Sequence, residues 1–221
     1  MVDMAALKAK NEVRWASAIP TRNFVAVAKS LVADAAKAQY ITVQNYTGVP
    51  WFVIAVLHER ESEQRWTASL AQGDPWNMVS THVPKGRGPF LSWVAAAIDA
   101  LINCPPYAAG NKDWSVGGTL TLLEEYNGLG YAGRDIPSPY IWSGTDQYTS
   151  GKFIADHVFR ADVIDVQLGC AGLLMAMSKL DPSVQLGGIP IKTTPIPPQP
   201  DVVASTEPKP IWGAWFKSWF T

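Results

Sequence analysis

Hydrophobic positions along the chain cluster into blocks at helical spacing, separated by short polar or Gly/Pro-rich stretches. The densest block covers 52–57. It follows Thr47-Gly48, a turn signal, and Pro50, whose missing N–H costs nothing in a first helical turn. It stops abruptly at His58-Glu59-Arg60-Glu61-Ser62. Projected as a helix, Ile54, Leu57, His58 and Glu61 share one stripe, and Phe52, Val56, Glu59 and Glu63 share the next. A carboxylate that ends a buried stripe sits where the protein wall meets solvent. Partial burial there disfavours the ionised form, as a general acid working near neutral pH requires. The plain alternative is a solvated, charged helix end.

The same spacing predicts a helix over 22–39, carrying Phe24, Val27, Ala28, Leu31, Val32 and Ala35, with Thr21 as its cap and 43–48 as the connection onward. Residues 1–20 read as a loosely anchored lead-in with a short helix over 4–15. Downstream, 90–103 repeats apolar residues through Leu91, Val94, Ala95, Ile98, Leu101 and Ile102 until Pro105-Pro106 stops it. A third strong pattern at 114–126 ends at Gly128, and a fourth covers 165–179. Between 73 and 89 the chain is rich in Gly and Pro, with one β-like stretch at 78–83. The loop 131–148 has no periodicity but many rings, Tyr131, Tyr140 and Trp142 among them. Loops of that length inside a domain usually carry function, and rings argue against disorder.

Twelve residues beyond Glu61, Gly73-Asp74-Pro75 places a second carboxylate on a turn. A helix-end glutamate with an aspartate on a following loop suits glycoside hydrolysis, in which one group protonates the leaving oxygen and the other manages water or the developing cation. Arg60-Glu61-Ser62 resembles the Arg-Glu-Ser of goose-type lysozymes and the Glu-Ser of soluble lytic transglycosylases. Gly73-Asp74 is similar in spacing to the Gly-Asp of the goose type, and Tyr126-Asn127-Gly128 resembles the superfamily's Tyr-Asn-Ala-Gly. The three motifs cover roughly 50–131.

The resemblance implies a mainly α (α+β), lysozyme-like domain over 1–187, with a helical core and a small loop or β lobe flanking a substrate cleft. It implies peptidoglycan as substrate, cleaved between N-acetylmuramic acid and N-acetylglucosamine, with Glu61 as acid and Asp74 positioning water or stabilising positive charge. Glu59 is the rival acid, because His58-Glu59 resembles the His-Glu of plant-type chitinases and related phage endolysins. His58, Thr81, Tyr126, Asn127, Tyr131, Tyr140 and Trp142 are the candidate substrate contacts; Tyr140 and Trp142 are equally readable as core aromatics. The Gly-Leu-Met-Gln hairpin of the goose type is missing after Asp74, and Gly128 stands where that family has Ala-Gly. Both departures leave room for a lytic transglycosylase, which works with one glutamate, or for a non-catalytic wall-binding or virion relative.

Composition narrows the classes further. In 221 residues the formal charge is −1, without the basic stripe of a nucleic-acid protein. Cys104 and Cys170 lie in apolar settings and read as free thiols, and His58, His82 and His157 show no metal-ligand spacing. No cofactor is called for. The N-terminal residues carry Asp3, Lys8, Lys10, Glu12 and Arg14 in place of a secretory apolar run, so export is expected through a holin, lysis or a virion. Prolines dominate 188–210 as a linker. Beyond it, Trp212, Trp215, Phe216, Trp219 and Phe220 recur at helical spacing and predict weak contact with a membrane interface.

Overall fold

In the computed structural model, residues 2–187 are described apart from Gln72, Val83 and Asp156; the expected linker and aromatic tail lie outside the described residues. The elements run α1 (Met4–Ser17), α2 (Val25–Leu31), α3 (Asp34–Thr47), α4 (Trp51–Ser62), α5 (Trp93–Asn103), α6 (Val116–Asn127), α7 (Pro139–Trp142), β1 (Lys152–Ala155), β2 (Val158–Arg160) and α8 (Cys170–Leu180). The fold is mainly α. The two strands form a small antiparallel hairpin with Phe153 opposite Phe159. No helix among the described residues is long and apolar enough to cross a membrane.

Helix α4 occupies the centre. Every side chain from Trp51 to His58 is buried, so this helix is enclosed all round and not only on one stripe. It packs against α2, α3 and α8, while α6 joins α1, α7 and α8. Full burial of Phe52, Ile54 and Leu57 contributes about 1.5–3 kcal/mol each. Local chemistry agrees with the helix starts. Ser92 accepts from the Ala95 N–H at 3.1 Å, Ser115 from the Gly118 N–H at 3.1 Å, and Trp51 N–H finds Gln44 Oε1 at 2.7 Å. Both cysteines are free and buried.

Several expectations are corrected. The N-terminal segment is no loose lead-in: Asp3 caps α1 through the Ala5 and Ala6 N–H groups, both at 3.0 Å, and Leu7 and Asn11 are buried. A Cβ on Gly117 of α6 would lie 2.6 Å from Glu12 and 2.7 Å from Lys8, so the missing side chain lets α1 and α6 approach closely. The helix expected over 22–39 is two helices, broken at Val32-Ala33, where Ala33 takes an extended ψ of 138°. No breaker stands in the sequence there. The bend lets α2 bury Ala28 and Leu31 while α3 buries Tyr40, Val43 and Thr47, and α3 continues through the stretch expected as a connection. Thr21 caps nothing; its N–H and that of Arg22 donate to the Gly144 carbonyl, while Asn23 Oδ1 accepts from Val25 N–H at 2.9 Å. Residues 78–82 form no strand. The sheet lies instead in β1 and β2, and 165–169 precede α8 without helix, with Asp165 held by ion pairs to Arg60 and Lys152.

Candidate active site

Glu61 sits half-buried in the last turn of α4. Its Oε1 accepts a hydrogen bond from the Tyr140 hydroxyl at 2.9 Å, delivered by the four-residue helix α7. Burial, reinforced by the Glu61 charge, pushes the Tyr140 phenol well above its ordinary value, against the opposing charge of Arg60. Tyr126, at the end of α6, is affected in the same way by burial and by Glu61, and its hydroxyl donates to the Leu70 carbonyl at 3.1 Å. The phenol that donates to the carboxyl group, Tyr140, therefore stays neutral across any physiological pH, as does Tyr126.

The chain leaves α4 through Glu63 and Gln64, both left-handed at φ 53° and 58°, and returns close to its own start. At Gly73 (φ +71°) a Cβ would lie 3.0 Å from the Glu61 backbone carbonyl. Glycine is needed here for the backbone angle and for the close approach alike.

Behind the carboxylate lies a buried charge network. Arg60 donates to Asp165 Oδ2 at 3.1 Å and to the Leu168 carbonyl at 3.2 Å, and Lys152 reaches Asp165 Oδ1 at 2.9 Å. The Arg60 guanidinium also lies 4.6 Å from the Tyr140 ring centre. Burial opposes ionisation of Asp165, but Arg60 and Lys152 outweigh it and hold the carboxyl below its usual range. Beside them, burial pushes the Cys170 thiol up to about 12, with Arg60 opposing and Glu61 adding. The thiol is inert. Asp165 and Lys152 escaped the sequence reading, since their link to Arg60 spans more than 90 residues of chain; the only local sign was an arginine set between two glutamates at the end of an apolar block.

Asp74 is organised differently. Its Oδ2 accepts from Thr81 N–H at 2.7 Å, Thr81 Oγ1 at 3.3 Å and His82 N–H at 3.0 Å, and its Oδ1 meets His82 Nδ1 at 2.5 Å. Partial burial works against the charge, yet the donors of His82 and Thr81 win and lower the carboxyl. Both oxygens are thus engaged in closing the 74–82 loop, on which Thr81 is exposed.

Other expected contacts are structural. His58 has no exposed surface: its Nδ1 meets the Tyr40 hydroxyl at 3.0 Å, and Trp66 and Trp93 enclose the ring at 4.6 and 4.7 Å. Burial lowers it to about 4, with only the Arg65 backbone opposing. A substrate role for His58 is corrected to a core role. Trp142 is wholly buried. Tyr131 accepts from Phe153 N–H at 3.0 Å and anchors the hairpin. Asn127 ends α6 half-buried, and Glu59 Oε2 is held by Gln64 Nε2 at 2.7 Å. Of the expected contacts, Tyr140 is the one hydrogen-bonded to Glu61 among the described residues, while Tyr126 feels the Glu61 charge and bonds the Leu70 carbonyl. Among the described residues no three His, Cys, Asp or Glu side chains gather as a metal ion requires.

Part of the loop 131–148 lines a groove to which Tyr140 and Trp142 do not contribute. A groove of about 460 Å³ is lined by Arg134, Ile136, Pro137, Gln147 and Tyr148 from this loop, and by residues 149–151, Phe159 and Ala161. Compared with protein-family models, curated proteins and solved structures, the chain matches none.

Proposed function

We propose that the chain is a lysozyme-like peptidoglycan-cleaving enzyme in which Glu61 is the general acid. The observation that carries this reading is the half-buried Glu61 carboxyl at the end of an enclosed helix, with one oxygen held by the neutral Tyr140 hydroxyl at 2.9 Å. A group so placed has its orientation fixed by tertiary packing, as proton delivery to a bound substrate requires. The three motifs resembling goose-type lysozymes and lytic transglycosylases point to the β-1,4 bond between N-acetylmuramic acid and N-acetylglucosamine. In that chemistry Glu61 protonates the glycosidic oxygen as the C1–O bond breaks. The resulting carboxylate then takes a proton from the attacking group.

The attacking group distinguishes two readings. Water gives a muramidase. The C6 hydroxyl of the muramyl ring gives a lytic transglycosylase and a 1,6-anhydro end. The second is favoured by a specific observation, that both Asp74 oxygens are engaged by Thr81 and His82. A single-acid route needs no second carboxylate. The test is digestion of purified sacculi by wild type, Glu61→Gln and Glu59→Gln, with the fragments analysed for reducing and anhydro ends. Loss of nearly all cleavage in Glu61→Gln with activity kept in Glu59→Gln supports the assignment. The reverse pattern overturns it in favour of the chitinase-like alignment.

A further inference from the structure

The groove beside the β1–β2 hairpin holds a cation that no carboxylate among the described residues neutralises. Arg134 lies with its guanidinium 4.8 Å from the Phe159 ring centre and 5.5 Å from that of Phe153. A guanidinium over aromatic rings is held by their electron-rich faces, and its N–H donors are not consumed by that contact. No carboxylate among the described residues pairs with Arg134. The adjacent Asp135 is taken by Lys10, and Arg160 on the neighbouring strand is paired with Asp162 at 2.7 Å. Around this cation the groove presents the hydroxyl residues Thr149 and Ser150 and the amide of Gln147, over apolar surface from Ile136, Pro137, Phe159 and Ala161.

Arginine suits bidentate recognition of a planar carboxylate, and a groove of this size accommodates a ligand of a few residues. The strand geometry adds a reason for an extended peptide. Among the described residues the sheet has two strands, and no strand pairs with the outer edge of β2. Because the Phe153 N–H is given to the Tyr131 hydroxyl, the Phe153–Phe159 pair does not exchange backbone hydrogen bonds. The N–H and C=O of Phe159 therefore face that open edge, where an added strand would find them.

We propose that this groove is a binding site for a short, carboxylate-bearing peptide, read by Arg134. Resting on the function proposed above, its natural occupant is the peptide stem carried by the muramyl residues. Binding there would hold the wall polymer while Glu61 acts on the glycan. The two places are joined through the protein: Tyr148, in the groove wall, accepts from the Asp165 N–H at 3.0 Å, and Asp165 holds Arg60 against Tyr140.

The test is calorimetric or NMR titration of the full chain with L-alanyl-γ-D-glutamyl-L-lysine and with the same peptide amidated at its carboxyl groups. Wild type is expected to bind the free acid at least tenfold more tightly than the amide, with amide-resonance shifts centred on 134–137, 147–151 and 159–161. Arg134→Gln is expected to lose that preference, and Arg134→Lys to keep part of it. Equal binding of acid and amide by wild type, absence of binding, or shifts elsewhere overturns the site even if Arg134→Gln fails to fold. The two proposals fail separately. Wall cleavage that depends on Glu61 without acid-selective peptide binding removes the groove alone, while acid-selective binding with no cleavage removes the enzyme reading and leaves the peptide site.

Discussion

Tyr140 and Glu61, 79 residues apart in sequence, meet through a 2.9 Å hydrogen bond in which the buried phenol donates to the half-buried carboxylate. The bond gives Tyr140 a partner for its hydroxyl and fixes Glu61 Oε1. Tyr140→Phe should fold, lose about 1 kcal/mol of stability, and cleave sacculi roughly tenfold more slowly because the acid is less well oriented. Thermal melts and turbidity clearing on purified sacculi check both parts; an unchanged rate would remove Tyr140 from the site.

Asp165 neutralises two cations, one of them deeply buried. Asp165→Asn leaves Arg60 without its carboxylate and should cost about 3–5 kcal/mol, read by urea denaturation. The difference from wild type should shrink in acid, because a carboxyl held below its ordinary value stabilises the fold above that value and loses the contribution as pH falls through its folded pKa.

Glu124 and His58 should give opposite pH slopes. Burial pushes Glu124 up to about 7, with Asn11 and Arg14 on α1 opposing, and its Oε1 has no hydrogen-bond partner among the described residues. A raised acid binds its proton more tightly in the folded state, so stability falls as pH rises from about 4.5 to about 7, by roughly 3 kcal/mol at most. Burial lowers His58 from 6.5 to about 4, so its contribution is present above 6.5 and is lost as pH falls toward 4. Relative to wild type, Glu124→Gln should therefore gain stability toward pH 8. His58→Phe should lose least near pH 4 and should retain wall cleavage. Melting temperatures measured from pH 4 to 8 on all three proteins separate the two contributions; parallel curves would contradict both assignments.

Asp74→Asn tests what the loop carboxylate does. Removing its charge weakens the hydrogen bonds from Thr81 and His82, so amide exchange across 74–82 should speed up. Under single-acid chemistry the product ends stay the same and the rate falls only a few-fold. A drop of a thousandfold or more, with Glu61 intact, would return Asp74 to the mechanism.

The central helix, its cut-off at Ser62, and the helices expected over 90–103 and 114–126 were legible in the sequence, because apolar spacing and Pro50, Pro105 and Gly128 as punctuation act within a few residues; their true starts at Trp93 and Val116, set by the Ser92 and Ser115 caps, were not read. The position of Glu61 at a half-buried helix end was legible for the same reason. The break at Val32-Ala33 was not, since no local residue demands it and only the need to bury two faces in different directions produces it. The hairpin at 152–160 escaped because two strands this short owe their place to Tyr131 and to the contact between Phe153 and Phe159. His58 shared a stripe with Glu61 in projection, yet α4 is enclosed on every side, and Tyr40, Trp66 and Trp93 arrive from three other segments to bury it. What the sequence determined was short-range, set by backbone propensity and spacing. The Tyr140–Glu61 bond, the Arg60–Asp165–Lys152 network and the engagement of Asp74 by Thr81 and His82 depend on which segments meet in space, and tertiary packing alone decided them.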